Sequence, residues 1–454
     1  MESTFAPHIF RTYDIRGLLA EVTPELAYAA AMALVIKTGA KTVVIGRDMR
    51  STSPELQASA IAGAVAAGAD VLDIGMTTTS MYCFAVRHLK AGAGLMVTAS
   101  HNPPEYNGMK FADGLGLPIS GLEIRTFVDQ PAQLSQTPGS VREVSVLEDY
   151  LDAAMAWPGI EQLRGLKVVA DFGNGMGAMT LRPLAKRLGI ELVEMYAEPD
   201  ARFPNHEANP AKEETLHDIK QEILKLRVDL GVALDGDADR IAFIDNEAQS
   251  LRGDLALTIF ASDILQRNPG ATVVTSPNQS WTTYDEIARL GGKTVDSAIG
   301  RTLVIHKMVE EHAAISGEVS NHFFFPEFGN LESVDHAFVR MLTIWKTSGK
   351  TFADFVRPLR QYANSGEINF TVPDKNQMMA AIKSSLALKA SSINELDGIR
   401  CDFERDWWFI VRPSNNEPLI RLIIEAVDEA SLHRHIDEIA GIIESHGGSR
   451  VTTH

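Results

Sequence analysis

The fold is decided by the stretch KTVVIGRD (Lys41–Asp48), because similar β-branched stretches recur as LKVVADFGNG (Leu166–Gly175) and ATVVTSPNQ (Ala271–Gln279). Each stretch is followed by a polar or glycine-containing loop, a segment of helical periodicity and a second short strand. An apolar strand, a crossover helix and another strand form a parallel βαβ unit that is buried on both faces. The sequence therefore predicts three related α/β units.

Each predicted unit then reaches a further strand that ends in a polar loop. These loops read TASHNP (Thr98–Pro103), DGDADR (Asp235–Arg240) and GEVSNH (Gly317–His322). In open α/β sheets, ligands gather beyond the carboxyl ends of the strands. We therefore expect the three loops to face one cleft.

The chain after residue 362 has a different pattern, in which GEINFTVPD, IRCDFE, WWFIVRPSNNEP and LIRLIIEAV are predicted strands. Helical segments lie between and after them, which is typical of an α+β domain. The predicted fold class is α/β, with three topologically related α/β domains of mixed or parallel sheets followed by a C-terminal α+β domain. The expected boundaries are 1–146 with the serine loop, 147–248 with the DGDADR loop, 249–362 with the GEVSNH loop and 363–454 with the RPSNNEP loop.

The composition is that of an ordinary globular protein, with 45% hydrophobic and 22% charged residues. A net charge of -17 argues against a partner such as nucleic acid or an anionic membrane, because both require a surplus of Lys and Arg. The two cysteines, Cys83 and Cys401, lack the spacing of a zinc site or a disulfide framework. Without a signal-like N-terminus or an apolar run as long as a membrane span, we expect a cytoplasmic protein, either a monomer or a small homo-oligomer.

The DGDADR loop places Asp235, Asp237 and Asp239 at alternate positions after an apolar strand. Three carboxylates directed at one point are hard oxygen ligands that suit Mg²⁺. An EF-hand is excluded because Arg240 occupies the position of its glycine and Asn246 that of its glutamate. The alternative to a metal site is a solvated acidic turn.

The stretch RPSNNEPLIR concentrates hydrogen-bond donors in an otherwise acidic chain, namely Arg412, Ser414, Asn415, Asn416 and Arg421. Arginines together with hydroxyl and amide donors suit a dianionic phosphate, which they bind through charge-assisted and bidentate hydrogen bonds. The alternative is a polar hairpin with surface arginines.

Two further groups of polar residues are candidates for ligand contacts. Glu318, Ser320 and His322 of the GEVSNH loop offer the donors and acceptors that sugar hydroxyls need, and a capping role is the alternative. Three arginines near the N-terminus are candidates for phosphate binding or loop positioning, namely Arg16, Arg47 and Arg50. For Arg47 and Arg50 the alternative is structural ion pairing.

Ser100 is the candidate nucleophile. It does not lie in a GxSxG elbow, and the sequence shows no evident pairing of an Asp or Glu with a His beyond the adjacent His101, which argues against a Ser-His-Asp acyl transferase. A serine beside His101 and Lys110, in a chain with an acidic triad and an arginine-rich anion site, indicates phosphoryl transfer.

The four loops TASHNP, DGDADR, GEVSNH and RPSNNEP occur in the order found in the α-D-phosphohexomutase superfamily, and the chain most resembles its bacterial phosphomannomutase/phosphoglucomutase group. The resemblance extends from FRTYDIRG to RPSNNEPLIR. It implies a four-domain, heart-shaped protein with a mobile C-terminal domain. It also implies an enzyme that interconverts the 1- and 6-phosphates of glucose, mannose or both.

By this resemblance, Ser100 carries a phosphoryl group that it donates to the sugar, and a hexose 1,6-bisphosphate is the intermediate and activator. Mg²⁺ is the implied metal, and hexose phosphates are the implied partners. The implied catalytic residues are Ser100, His101, Lys110, Arg16 and Arg240, and the implied metal ligands are Ser100, Asp235, Asp237 and Asp239. The implied substrate-binding residues are Glu318, Ser320, His322, Arg301, Arg412, Ser414, Asn415, Asn416 and Arg421.

The chain departs from the group's pattern at two places. Arg301 and Thr302 follow Gly300 where the group usually reads Gly-His-Ser, and a guanidinium cannot titrate as a histidine does. Asn321 replaces a usual glycine and Val319 a common methionine. The sugar preference therefore stays open, and the alternatives are a phosphoglucosamine mutase, a phosphoserine-dependent sugar-phosphate phosphatase and a non-catalytic sugar-phosphate-binding protein.

Overall fold

The computed structural model describes residues 5–130, 134–414 and 419–451, and within them the chain forms four β-sheets. We name the elements by unit. Unit I contains β1 (Ile15–Leu18), α1 (Pro24–Thr38), β2 (Thr42–Arg47), α2 (Ser53–Ala66), β3 (Asp70–Met76), α3 (Thr79–His88), β4 (Ala93–Val97), β5 (Tyr106–Asp113), β6 (Pro118–Ile119), α4 (Gly121–Val128) and β7 (Val141–Glu143). Unit II contains α5 (Leu147–Met155), β8 (Lys167–Asp171), α6 (Ala178–Leu188), β9 (Glu191–Met195), α7 (His217–Leu226), β10 (Leu230–Leu234), β11 (Ile241–Asp245) and β12 (Ser250–Leu251).

The second half of the chain forms the other two sheets. Unit III contains α8 (Gly253–Arg267), β13 (Thr272–Thr275), α9 (Trp281–Arg289), β14 (Lys293–Asp296), α10 (Arg301–Glu310), β15 (Ile315–Gly317), β16 (Phe323–Phe325), β17 (Leu331–Glu332), α11 (Val334–Thr347) and α12 (Phe352–Val356). The C-terminal unit contains β18 (Ala363–Asn364), β19 (Ile368–Thr371), α13 (Lys375–Leu386), β20 (Ser392–Asn394), β21 (Ile399–Phe403), β22 (Trp407–Pro413), β23 (Leu419–Ala426), α14 (Glu429–Ser445) and β24 (Ser449–Arg450).

Units I, II and III repeat one sheet topology. In each sheet a central strand pairs in parallel with two others, and an antiparallel strand follows at the edge of this trio. The central strands are β2, β8 and β13, and the antiparallel strands are β5, β11 and β16. In the C-terminal unit the strands pair antiparallel, and α13 and α14 contribute to its core. The predicted fold class, three related α/β units followed by an α+β unit, is confirmed.

This repetition gives the three polar loops equivalent places. Residues 98–105 connect β4 to β5, residues 235–240 connect β10 to β11, and residues 318–322 connect β15 to β16. Each loop therefore follows a strand that pairs in parallel with the central strand of its unit, at the carboxyl edge where open α/β sheets bind ligands.

The apolar interior is divided between the α/β units and the C-terminal unit. One continuous buried cluster runs through all three α/β units and includes Met96, Phe243 and Phe324. The C-terminal unit has a cluster of its own around Phe409 and Ile439. Within the residues described above, no helix combines the length and the apolar character needed to cross a membrane.

Candidate active site

Ser100 lies at the start of the loop after β4 and is buried, with its backbone in the left-handed region at a φ of 50°. Its backbone N–H donates to Oγ1 of Thr98 at 2.9 Å. Its hydroxyl donates to Oδ2 of Asp235 in unit II at 2.8 Å. The serine of the first unit is thus directed at the acidic loop of the second.

A buried arginine fixes the backbone of this serine loop. The guanidinium of Arg50 donates to four carbonyl oxygens at 2.5 to 2.9 Å, those of Ser100, Asn102, Pro103 and Tyr106. Its Nε lies 3.3 Å from the carboxylate of Asp48, so Arg50 forms an ion pair and positions the loop at once. Gly236 of unit II allows the close approach, because a Cβ there would lie 2.5 Å from the Ser100 carbonyl oxygen.

The three aspartates of the DGDADR loop form a buried group of carboxylates. Oxygen atoms of Asp235, Asp237 and Asp239 lie within 4.8 Å of one another. Oδ1 of Asp237 and Oδ1 of Asp239 have no hydrogen-bond partner among the described residues. Burial, and then the charges of Asp239 and Asp237, raises the pKa of Asp235 well above its usual range. Such a set of hard, incompletely paired oxygens fits Mg²⁺.

Lys110 on β5 spans two of these carboxylates. Its Nζ donates to Oδ2 of Asp237 at 2.7 Å and to Oδ2 of Asp239 at 2.6 Å. Burial lowers the pKa of Lys110, but the two carboxylates outweigh burial and raise that pKa above its ordinary value. Lys110 is therefore a fixed positive charge at the site.

Arg16 contacts the serine loop, and His101 lies beside Ser100. Arg16 donates to Oδ1 of Asn102 at 2.6 Å and to Oδ2 of Asp14 at 2.5 Å. Nδ1 of His101 lies 3.2 Å from Oγ of Ser100. Burial, together with the charges of Arg240 and Arg16, lowers the pKa of His101 well below its usual value. His101 is therefore neutral at pH 7, so one of its ring nitrogens carries a lone pair, whereas the cationic Lys110 and Arg16 have none to offer.

Arg240 and His322 connect the acidic loop to unit III. Nε of Arg240 donates to Nε2 of His322 at 3.0 Å, and Nδ1 of His322 lies 3.1 Å from the carbonyl oxygen of Asp239. Burial lowers the pKa of His322 to about 3, which leaves the ring neutral with its proton on Nδ1. Both ring nitrogens are thus used within the protein, and His322 orients Arg240.

The loop between β15 and β16 places Glu318 in a buried position. Its Oε1 accepts the N–H of Gly300 at 3.0 Å, and burial raises the pKa of Glu318 to about 7. Ser320 is half-buried at the tip of this loop. Asn321 has a φ of 71°, a left-handed conformation that suits glycine and that asparagine also adopts. The departure from the usual glycine is therefore compatible with the same loop conformation.

Arg301, the other departure, begins α10 and is held in an ion pair. Its Nε donates to Oε1 of Glu332 at 2.5 Å, and its Nη2 lies 3.5 Å from Sγ of Cys83. Although burial lowers the pKa of Arg301, the charge of Glu332 outweighs burial and raises that pKa. Arg301 remains charged, and its partner Glu332 lies 31 positions further along the chain.

The predicted phosphate-binding residues lie on the hairpin of β22 and β23. Arg412 and Arg421 are directly opposite each other across the two strands. Two like charges at such positions repel each other, so an anion between them is favourable. Asn415 and Asn416 lie outside the described residues.

Three partners of this hairpin did not emerge from the sequence. Arg412 pairs with Asp397, and Arg421 lies 3.6 Å from a carboxylate oxygen of Glu367. Nζ of Lys375 donates to the carbonyl oxygen of Ser414 at 2.6 Å, which adds a third cation beside the hairpin. No local motif marks these residues, because each pairs with the hairpin only through the folded sheet.

Models of a known protein family match the chain between residues 7 and 442. Family models described as phosphoglucomutase/phosphomannomutase match residues 7–133 (domain I), 148–249 (domain II), 252–362 (domain III) and 367–442 (C-terminal domain). A relative named "Phosphohexose mutases" from Xanthomonas campestris pv. campestris is 34% identical over 442 residues, which cover 96% of this chain and 98% of the relative. The chain belongs to the phosphoglucomutase/phosphomannomutase family.

Further members of the phosphoglucomutase/phosphomannomutase family are similar over nearly their full length. The phosphomannomutase/phosphoglucomutase of Pseudomonas aeruginosa is 33% identical over 446 residues, covering 95% of this chain and 94% of that protein. The crystal structure of a family protein from Burkholderia thailandensis superposes with a TM-score of 0.89 at 28% identity, covering 98% of this chain and 100% of the other. This member of the phosphoglucomutase/phosphomannomutase family is a hexose phosphate mutase, and its reaction class is isomerase.

Proposed function

We propose that the enzyme interconverts the 1- and 6-phosphates of glucose, mannose or both, through a phosphoserine at Ser100 and a hexose 1,6-bisphosphate. The observation that carries the proposal is the hydrogen bond from the Ser100 hydroxyl to Asp235, inside the group of three carboxylates. A serine at that position presents its oxygen to a site that attracts cations, as phosphoryl transfer requires.

Asp235, Asp237, Asp239 and an oxygen of Ser100 would hold Mg²⁺, which would supply charge neutralisation for the transferring phosphoryl group. Lys110 and Arg240 add fixed positive charges. In the transfer, the bond from phosphorus to Oγ of Ser100 breaks and a bond to the sugar hydroxyl oxygen forms. In this proposal the proton of that hydroxyl passes to His101.

The second phosphate of the sugar is assigned to the C-terminal hairpin. Arg412 and Arg421, with Ser414, Asn415 and Asn416, would hold it while the other end of the sugar reacts. Glu318 and Ser320 would read hydroxyl groups that both sugar orientations present, and Arg301 would adjoin them. Such a grip on the distal phosphate orients the reacting hydroxyl, and orientation alone can contribute several kcal/mol. As part of this proposal, the enzyme acts on free hexose phosphates in the cytoplasm, as a monomer or small homo-oligomer.

The proposal is tested by the variant Ser100→Ala. We expect mutase turnover with glucose 1-phosphate and mannose 1-phosphate to fall to near zero, while binding of either sugar phosphate in calorimetry is retained. Intact mass of the wild type should show a single phosphate that phosphatase treatment removes and that the variant lacks. Normal turnover in Ser100→Ala would mean that another group carries the phosphoryl.

Three further measurements define the reaction. Chelation of divalent cations should abolish turnover, and added Mg²⁺ should restore it. Equal or greater turnover of glucosamine 1-phosphate would assign the enzyme to phosphoglucosamine instead, and steady release of inorganic phosphate would identify a phosphatase.

A further inference from the structure

Asp397, in the turn between β20 and β21, forms a two-point contact with Arg412. Nε of Arg412 donates to Oδ1 at 3.2 Å and Nη2 donates to Oδ2 at 2.9 Å. The turn packs directly on the arginine at Gly398, whose φ is 87°, because a Cβ there would lie 2.7 Å from Cγ of Arg412. The position of the Arg412 side chain is thus fixed by two hydrogen bonds to Asp397 and by the close packing of Gly398.

The carboxylate of Asp397 also forms a hydrogen bond with unit III. Its Oδ2 accepts the N–H of Ile299 at 2.7 Å, and the next N–H, that of Gly300, donates to Oε1 of Glu318 at 3.0 Å. The carbonyl oxygen of Ile299 also accepts the hydroxyl of Tyr13 from unit I at 3.2 Å. Ile299 and Gly300 therefore connect Arg412, the loop between β15 and β16, and unit I.

The contact leaves part of Arg412 available. Asp397 occupies its Nε and Nη2, whereas Nη1 has no partner among residues 5–130, 134–414 and 419–451. Arg421 lies directly opposite across the strands. A guanidinium held along one edge keeps its other donors in a fixed direction, which suits phosphate recognition.

We propose that Asp397 is a positioning residue for substrate binding: it fixes Arg412 for the non-reacting phosphate and sets the place of that phosphate relative to Glu318. This inference rests on the proposed function, in which Arg412 holds a phosphate. The opposite role, in which the carboxylate competes with the phosphate for Arg412, predicts the opposite sign in the experiment below.

The test is the variant Asp397→Asn, which keeps the shape of the side chain and removes its charge. We expect KM for the hexose phosphate to rise about tenfold, with kcat at saturating substrate within about twofold of the wild type. Asp397→Glu, which restores the charge, should recover part of the KM. An unchanged or lower KM in Asp397→Asn would overturn the proposal, and a lower KM would indicate competition.

Asp402 provides a matched control at the same boundary between units. It binds Arg400 at two points, at 3.0 and 2.9 Å, and accepts Nε1 of Trp281 from unit III at 2.7 Å. Asp402→Asn removes an equivalent ion pair and an equivalent contact between units, but away from Arg412. We expect it to lower the Tm as Asp397→Asn does and to leave KM unchanged. If it raises KM as much, the effect belongs to the boundary in general, and Asp397 has no particular role.

Arg412→Ala separates the failure of this inference from that of the proposed function. It should raise KM more than Asp397→Asn does. If Arg412→Ala raises KM and Asp397→Asn does not, the role of Asp397 is wrong and the phosphate site stands. If Arg412→Ala leaves KM unchanged, the phosphate site itself is wrong.

Discussion

Glu318 is a buried carboxyl group whose environment opposes ionisation. Burial raises its pKa to about 7 in the folded chain, against 4.5 in a solvated chain. Between these two pH values the folded protein binds more protons than the unfolded one, so stability falls as pH rises from 4.5 to 7. Above pH 7 the ionised carboxylate costs up to about 3 kcal/mol of stability.

The variant Glu318→Gln tests this balance. Because glutamine keeps an oxygen for the N–H of Gly300 and carries no charge, we expect a higher Tm than the wild type at pH 8 and little difference at pH 4.5. In the proposed function the ionised carboxylate accepts sugar hydroxyls, so kcat/KM of the wild type should rise between pH 6 and 8. In Glu318→Gln this rise should be absent and kcat/KM about 100-fold lower. If the variant keeps the same pH dependence of kcat/KM as the wild type, the titration of Glu318 is not the cause of that dependence.

The sequence predicted which residues of this kind to consider, but not how they are paired. Ser100, the three aspartates and Glu318 stand out because each follows an apolar strand, which is a local pattern. The partner of Arg301 is 31 positions away and that of Ser100 is 135 positions away. The first pair depends on how α10 packs beside β17 within unit III, the second on how units I and II pack together, and no short pattern encodes either.

The serine loop, residues 98–105, depends on one side chain from a different element. Arg50 precedes α2 and donates to three carbonyl oxygens of the loop and to that of Tyr106, the first residue of β5, so its hydrogen bonds act on backbone. In the sequence, Arg50 is one of two similar arginines, with Arg47, and structural ion pairing is the alternative to loop positioning for both. The four carbonyl acceptors become visible only when the loop is folded around the guanidinium.

Arg50→Lys should therefore impair transfer more than binding. A lysine ammonium has three donors and cannot bind all four carbonyl oxygens at once, so the serine shifts. A shift of about 1 Å costs on the order of 100-fold in rate. We expect kcat to fall by about that factor, with KM within about threefold and with slower phosphorylation of Ser100 by the bisphosphate in intact-mass time courses.

Arg47→Lys serves as the control for Arg50→Lys. Arg47 donates through one Nη to a single carbonyl oxygen, that of Asp48, which lysine can also reach. Its kcat should stay within about threefold of the wild type. Equal losses in the two variants would mean that the basic character of this segment matters, and that the four-carbonyl grip does not.

At the scale of the whole molecule, the buried clusters predict how the chain unfolds. The three α/β units share one continuous apolar cluster, and the C-terminal unit has its own. Calorimetry should therefore show two transitions, one for the α/β units and one for the C-terminal unit. The carboxylates of Asp235, Asp237 and Asp239 lie where units I and II meet, so Mg²⁺ bound there should raise the Tm of the transition of the α/β units only.

Two outcomes would contradict these expectations. A single transition would mean that contacts between unit III and the C-terminal unit, such as those of Trp281 with Trp408, couple the two parts. An Mg²⁺ effect that persists in Asp237→Asn with Asp239→Asn would place the cation elsewhere.

The shared position of the three polar loops has a consequence for the ancestry of the enzyme. When a βαβ unit is duplicated and the copies pack around one centre, the same turn of every copy already faces that centre. Mutation then has only to change the side chains of a turn, and the scaffold stays intact. Under the proposed function, transfer, cation binding and sugar recognition belong to separate copies, so a change in the turn of unit III alone can alter the sugar specificity.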